Sequence, residues 1–325
     1  MTDEHKADPL SQAGPPGPAD PAGLPDSPDS PGAPGALDEA LSLVTKAAGE
    51  GIEVRLLGGM AVRVLCPAFP PRPASGLQDI DLASVTSSRK ALQKFLLDQG
   101  HLPDKNFNAL YGHKQLYFVS ASSGRPIDVI IDKLVMCHEL DFRDRISRMP
   151  YTLDVLDVLL SKLQIVELNE KDVRDIVYLL SAYPVRDGSE PGTIALDLFR
   201  PLMAEDWGWW KTVTMNLAKV REMLAGRGDA LVPDGAPHDA ASAAAALAAA
   251  ADAVPKSRRW RLRARIGDRV RWYQEPQESV HGLQRSGESP TTEEIISRIV
   301  SRPAGPDGAS TEDIVAMIRR GREGR

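Results

Sequence analysis

The sequence is poor in cysteine and in long apolar runs. Two cysteines in 325 residues exclude a disulfide framework and a four-thiolate zinc site, and they are typical of a reducing compartment. The uncharged stretch at 240–251 is almost pure alanine and is too short to span a bilayer. The N-terminus lacks the basic and then apolar pattern of a signal peptide, so we expect a cytoplasmic protein without a membrane segment.

The chain also lacks an excess of basic residues. Its 39 lysines and arginines are outnumbered by 45 aspartates and glutamates, which disfavours a globally basic nucleic-acid binder but allows a local patch. Such a patch lies at 256–272, where seven arginines alternate with tryptophan and aliphatic residues. Two interpretations stay open. The patch contacts RNA with its tryptophans stacked on bases, or Leu262, Ile266 and Val270 dock a helix on the body with the arginines in water.

Composition divides the chain into five regions. Residues 1–36 contain nine prolines and five glycines and almost no large apolar side chain, so we expect a disordered tail. Residues 226–255 are rich in alanine and predict a linker whose one helix has little to pack against. The predicted regions are a tail at 1–36, a core at 37–150, a helical domain at 151–225, the linker at 226–255, and a basic segment with C-terminal helices near 292–300 and 311–320 at 256–325.

Hydrophobic periodicity predicts an α+β fold, with a mixed β-sheet core flanked by helices and followed by a helical C-terminal region. The predicted elements of the core are a helix at 38–48, a strand at 53–57, a helix at 60–65, a strand at 78–85, a helix at 88–98, and a hairpin of strands at 115–120 and 126–132. Further helices are predicted at 153–167, 170–181 and 207–225.

Two aspartates alternate with apolar residues on the predicted strand at 78–85. Because residues two apart on a strand point to the same face, Asp79 and Asp81 share one side while Ile80 enters the core. Neighbouring carboxylates repel each other unless a cation lies between them, and Mg²⁺ prefers one or two carboxylates together with water and phosphate oxygens. Asp128 becomes a third carboxylate of this site if the sheet brings its strand alongside. The pattern therefore predicts a Mg²⁺ site.

A glycine pair, Gly58 and Gly59, stands between the predicted strand at 53–57 and the helix that follows it. Exposed backbone N–H groups and the positive end of the helix dipole can receive a phosphate at such a position. The sequence thus predicts an anion site that faces the metal site.

The order of these motifs resembles the nucleotidyltransferase superfamily with the polymerase-β-like fold, whose signature is a glycine pair, an Asp-x-Asp strand and a distant third acid. The segments Leu159–Gln164 (LLSKLQ) and Lys171–Asp175 (KDVRD) look like the lysine and Lys-Asp-x-x-Asp elements of the AbiEii-type nucleotidyltransferases. These enzymes are the toxins of type IV toxin–antitoxin systems. The resemblance covers roughly residues 51–180, a little under half of the chain.

The resemblance implies a role for each matching residue. Asp79, Asp81 and Asp128 would be catalytic and bind the metal, Gly58 and Gly59 would bind the nucleotide, Lys162 would be a catalytic contact to its phosphates, and Asp172 would be the distal acid of the helical motif. The implied activity is Mg²⁺-dependent transfer of an NMP from an NTP to an acceptor hydroxyl. The implied partners are a tRNA as acceptor and an antitoxin protein.

Other interpretations of the same residues stay open. Lys162 also fits a solvated lysine on an amphipathic helix, Asp172 fits a capping box with Asn169, and Lys171 with Asp175 fits a surface ion pair. A protein hydroxyl or a small molecule such as an aminoglycoside is an alternative acceptor. The competing class of protein is a non-catalytic nucleotide-binding or protein-interaction module on the same scaffold. The scattered histidines lack the spacing of a zinc site.

Overall fold

A five-stranded mixed sheet flanked by helices forms the centre of the chain, and the predicted α+β fold is confirmed. The computed structural model describes residues 35–70 and 78–275. Most of the predicted tail at 1–36 and both helices predicted near 292–300 and 311–320 lie outside the described residues.

The strands of the sheet run in the order β1-β2-β5-β4-β3. They are β1 (Val54–Leu56), β2 (Ile80–Ser84), β3 (Leu102–Pro103), β4 (Gln115–Val119) and β5 (Pro126–Ile131). β2 and β5 are parallel, and the other neighbours are antiparallel, so the hairpin predicted at 115–132 is present as β4 and β5. Two short pairs lie outside this sheet: β6 (Lys133–Val135) with β7 (Glu139–Asp141), and β8 (Val185–Arg186) with β9 (Ile194–Ala195).

The helices pack around the sheet and then form a layer of their own. They are α1 (Ala36–Gly49), α2 (Gly58–Leu65), α3 (Arg89–Asp98), α4 (Lys105–Tyr111), α5 (Val155–Leu163), α6 (Glu170–Ala182), α7 (Leu196–Glu205), α8 (Trp207–Leu231), α9 (Ala240–Ala253) and α10 (Arg258–Ile266). α1, α3 and α6 match the predicted helices within two residues at each end. Over the residues that the structure describes, no helix has both the length and the apolar character needed to cross a membrane.

Alternation along two neighbouring strands separates an apolar face of the sheet from a polar one. Ile127 and Val129 of β5 are fully buried, whereas Asp128 between them is only half-buried. β2 repeats the pattern, with Ile80 fully buried and Asp81 half-buried. Because side chains alternate with a period of two, the apolar residues build the core and the aspartates emerge on the opposite face.

α5 ends at Leu163, four residues before its predicted end. The Asn216 side chain donates hydrogen bonds to the carbonyl oxygens of Leu163 and Ile165, each at 2.8 Å. The Gln164 side chain accepts a hydrogen bond from the backbone N–H of His138 at 3.1 Å. Hydrogen bonds to Asn216 therefore replace helical hydrogen bonds at this point. The apolar periodicity of the sequence continues past the end of the helix, which explains the longer prediction.

Several elements were not predicted from the sequence, among them β3, α4 and α7. β3 has only two residues, and its Leu102 is exposed. α4 begins where the Asp104 side chain accepts a hydrogen bond from the N–H of Phe107 at 2.9 Å. α7 contains Pro201 in its interior, where proline normally ends a helix. α8 continues beyond its predicted end across a kink at Arg227.

α9 is packed into the helical layer and does not stand apart from it. Ala244, Leu247 and Ala251 are fully buried, and the helix contacts α6, α7 and α8. This differs from the predicted linker with little to pack against. Alanine has a high helix propensity, but it is also one of the residues most often found fully buried. The small side chains let α9 lie close to its neighbours.

The packing of α9 predicts unequal effects for one substitution at two neighbouring positions. Ala244→Asp places a carboxylate in the fully buried side of α9, so we expect a loss of about 3 kcal/mol or more in unfolding free energy. Ala246→Asp lies on the exposed side and is expected to cost about 0.7 kcal/mol from helix propensity alone. Urea unfolding of the two variants measures the difference, and similar losses would contradict a buried α9.

Candidate active site

Asp81 and Asp128 lie side by side on neighbouring strands. In the parallel ladder of β2 and β5, Ile80 is opposite Ile127 and Asp81 is opposite Asp128. Neighbouring strands are about 4.8 Å apart, and residues in register point to the same face of a sheet. The structure therefore brings these two predicted site residues together on the polar face.

The strand predicted at 78–85 is shorter in the structure. β2 begins at Ile80, so Asp79 lies one residue before it. The position opposite it in the ladder belongs to Pro126, which has no N–H group with which to extend the pairing. The charges of Asp79 and Asp128 both act on Tyr117 of β4. The pKa of Tyr117 is raised to about 12, mainly by burial and in addition by the charges of these carboxylates.

Gly58 brings the start of α2 against Asp81. It has a φ of +66°, and a Cβ at this position would lie 2.2 Å from Asp81 Oδ2, so only glycine allows this close approach. The N–H of Leu57 donates a hydrogen bond to the carbonyl oxygen of Asp81 at 2.9 Å, which fixes the helix start beside the strand.

The first turn of α2 has no side-chain cap. Leu57 occupies the N-cap position with an extended backbone and makes no side-chain hydrogen bond to the helix. N–H groups in the first turn of a helix have no partner within the helix and favour anions. Gly58 and Gly59 are the first two residues of this turn and are both half-buried. Their contact with a nucleotide phosphate stays a prediction.

Gln115 is a member of the site that the sequence analysis missed. Its Nε2 donates hydrogen bonds to both carboxylate oxygens of Asp128, at 2.7 and 2.8 Å. A glutamine on a predicted strand gives no local signal, and only the register of the hairpin could have revealed this contact. Because each carboxylate oxygen has a second lone pair, Asp128 can accept these bonds and still bind a cation.

The donor set suits Mg²⁺ in both chemistry and number. Hard cations take oxygen ligands, and Mg²⁺ in phosphate-handling sites uses one or two carboxylates with waters and substrate oxygens. Asp81 and Asp128 supply two carboxylates, and Asp79 lies beside them. Within residues 35–70 and 78–275, no three or more His, Cys, Asp or Glu side chains already converge as a metal site. Two carboxylates would leave the remaining positions around such an ion to water and phosphate oxygens.

Lys162 lies between two buried aspartates. Its Nζ is 3.1 Å from Asp172 Oδ1 and 3.0 Å from Asp175 Oδ2, and only 12% of its side chain is exposed. The alternative of a solvated lysine is therefore wrong. The alternative of a surface ion pair between Lys171 and Asp175 is also wrong, because Asp175 is buried. The Asn169 side chain caps α6 by accepting a hydrogen bond from the N–H of Asp172 at 3.0 Å.

The Lys162 cluster packs against α2, the helix whose first residue contacts Asp81. Burial raises the pKa of the Cys66 thiol at the end of α2, and the charge of Asp175 raises it further. The aspartates of the sheet and the Lys162 cluster thus both lie next to α2. Contact of Lys162 with nucleotide phosphates, and a catalytic role for Asp172, stay predictions.

Two solved structures similar to this chain are those of a nucleotidyltransferase and of a nucleotidyltransferase-like protein. The crystal structure of ANT(2")-Ia in complex with adenylyl-2"-tobramycin is similar over 45% of this chain and 88% of its own, with 10% sequence identity and a TM-score of 0.31. An antigenic nucleotidyltransferase-like protein from Paracoccidioides brasiliensis is similar over 68% and 94%, with 13% identity and a TM-score of 0.33. No protein-family model and no curated protein matches the chain. Similarity at this level assigns no family, and the interpretation depends on the site residues.

The contact between Gly58 and Asp81 predicts a larger effect for Gly58→Ala than for Gly51→Ala. Both glycines have positive φ, +66° and +72°, so each substitution is expected to cost about 1–2 kcal/mol in backbone strain. At Gly58 the new Cβ also meets Asp81 Oδ2, whereas at Gly51 it meets nothing within 4 Å. We expect Gly58→Ala to lose at least about 1 kcal/mol more in urea unfolding. Equal losses would show that Asp81 is not held against the helix start.

Proposed function

We propose that the protein is a Mg²⁺-dependent nucleotidyltransferase that moves an NMP from an NTP to an acceptor hydroxyl. The observation that carries this proposal is the register of Asp81 with Asp128, beside Asp79 and the uncapped first turn of α2. A cation site and an anion site then lie next to each other on the polar face of the sheet. A nucleoside triphosphate with its Mg²⁺ needs both.

The residues of the site divide the work of phosphoryl transfer, in which positioning and charge neutralisation dominate. Asp79, Asp81 and Asp128 would hold Mg²⁺, which neutralises charge on the phosphates when bound. The N–H groups of Gly58 and Gly59 would orient a phosphate at the start of α2.

Asp128 would accept the proton of the acceptor hydroxyl, and the hydrogen bonds from Gln115 that orient its carboxylate support this role because they leave lone pairs available. Lys162 would balance negative charge on the leaving phosphates, and Asp172 would hold Lys162 in place.

The acceptor in this proposal is RNA, and tRNA is the first candidate. The proposed role is that of a toxin whose activity an antitoxin protein opposes. Support for both comes from the resemblance of the LLSKLQ and KDVRD segments to AbiEii-type enzymes. A protein hydroxyl and an aminoglycoside are the acceptors to compare, because a fold does not determine its substrate.

The test is transfer of label from each α-labelled NTP by the full chain with Mg²⁺, offered a tRNA pool, a protein pool or an aminoglycoside. Asp79→Asn, Asp81→Asn and Asp128→Asn should each lower transfer by about 100-fold or more, the scale of losing one electrostatic contact to a transition state. Asp98→Asn is the control, because Asp98 is an exposed residue of α3 that pairs with Lys94. Induced growth arrest that is lost in Asp81→Asn would support the toxin role.

Two outcomes would contradict the proposal. Nucleotide binding without transfer to any acceptor would favour the non-catalytic module. Transfer that survives all three asparagine substitutions in folded protein would place the chemistry elsewhere.

A further inference from the structure

The outer side of α10 carries an unusual concentration of unpaired positive charge. Five arginines on α10 and the turn after it are exposed and make no side-chain hydrogen bond or ion pair with any part of the chain that the structure describes: Arg258, Arg259, Arg261, Arg265 and Arg269. The chain as a whole has a net charge of −6, so general basicity does not explain the cluster. A local positive field of this kind attracts an anionic partner.

The inner side of α10 is fixed on the body by aromatic and cationic contacts. The Trp260 ring lies 5.2 Å from that of Trp210, and the Lys256 Nζ is 5.3 Å from the Trp260 ring centroid. The Arg263 guanidinium lies 4.6 Å from the Trp207 ring centroid and donates hydrogen bonds to two carbonyl oxygens of the following turn. These contacts fix α10 on the body, while the five arginines stay exposed to solvent.

An apolar ridge runs between the arginines. Leu262, Ile266 and Val270 are 60%, 46% and 57% exposed, although one of the two interpretations of their four-residue spacing has them dock the helix on the body. That interpretation is wrong, because Trp260 occupies the inner face and turns the aliphatic residues outward. Beside the ridge, Leu262 and Ile266 line a cavity of about 400 Å³ together with Trp207 and Trp272.

The chemistry of this surface fits a polypeptide better than RNA. Bases stack on open aromatic faces, but Arg263 already lies over Trp207 and Lys256 over Trp260. Aliphatic side chains have no counterpart on a phosphate backbone. An amphipathic helix instead offers apolar side chains at three- and four-residue spacing for the ridge and cavity, and carboxylates for the arginines on either side.

We propose that α10 and the segment at 267–275 form a docking surface for an acidic amphipathic helix of a partner protein. Carboxylates of the partner pair with the exposed arginines, and its apolar stripe covers Leu262, Ile266 and Val270. The proposal does not depend on nucleotidyl transfer, because none of these residues belongs to the candidate active site.

The probe is a fluorescein-labelled peptide of about 18 residues, with leucines at helical spacing and glutamates between them, titrated against the full chain. A peptide of the same composition in scrambled order controls for charge alone. We expect the amphipathic peptide to bind about tenfold more tightly or better than the scrambled one. Equal binding of the two peptides would overturn the proposal.

Two double variants separate the apolar and charged contributions. Leu262→Ser with Ile266→Ser, and Arg261→Glu with Arg265→Glu, should each weaken peptide binding by about tenfold or more. The matched controls are Leu97→Ser with Leu110→Ser, which replace exposed leucines on α3 and α4, and Lys90→Glu with Arg221→Glu, which make the same charge change elsewhere. Both controls should leave binding unchanged.

Poly(U) RNA and phosphatidylserine vesicles test the other anionic partners. Weaker binding of both than of the amphipathic peptide supports the proposal. Tighter binding of either one, insensitive to the two serine substitutions at Leu262 and Ile266, would overturn it in favour of a nucleic-acid or membrane surface.

Discussion

The parallel ladder between β2 and β5 is the constraint on which the candidate site depends. Its register places Asp81 beside Asp128 on one face, with Ile127 and Val129 buried on the other. Because side chains alternate between faces, a slip of one residue would send a carboxylate into the core and an aliphatic side chain into the site. Hydrophobic burial on one face of the sheet therefore positions the charged residues on the other.

Two carboxylates on neighbouring strands repel each other, and the surrounding structure accommodates that repulsion. Gln115 donates to both oxygens of Asp128, and the missing side chain of Gly58 leaves room for the Asp81 carboxylate. An arrangement of like charges gains free energy from any cation that binds the folded state and not the unfolded chain. The same geometry that costs stability in the free protein would thus favour the proposed Mg²⁺.

Sequence reasoning could predict the sheet and its acids, because alternation with a period of two is a local signal. It could not predict Gln115 as a partner of Asp128, since that contact depends on the hairpin register and on no local pattern. It also left the orientation of α10 open, and the interpretation in which Leu262 and Ile266 are buried is wrong. Trp260 packs against Trp210 on the inner face of α10, so Leu262 and Ile266 lie on the outer face, and only the tertiary structure shows this. The packing of α9 was missed for a similar reason. A high alanine content indicates helix propensity, but it does not indicate which helices α9 packs against.

The proposed site depends most directly on Asp81 and Asp128 sharing one metal ion. A double-mutant cycle on Mn²⁺ affinity tests this, with Asp81→Asn, Asp128→Asn and the double variant titrated calorimetrically as full chains. If both carboxylates hold one ion, the double substitution should weaken binding by clearly less than the summed losses of the single ones, because either change alone breaks the shared coordination. Additive losses, or an Asp128→Asn variant that binds Mn²⁺ like the wild type, would contradict the proposed site.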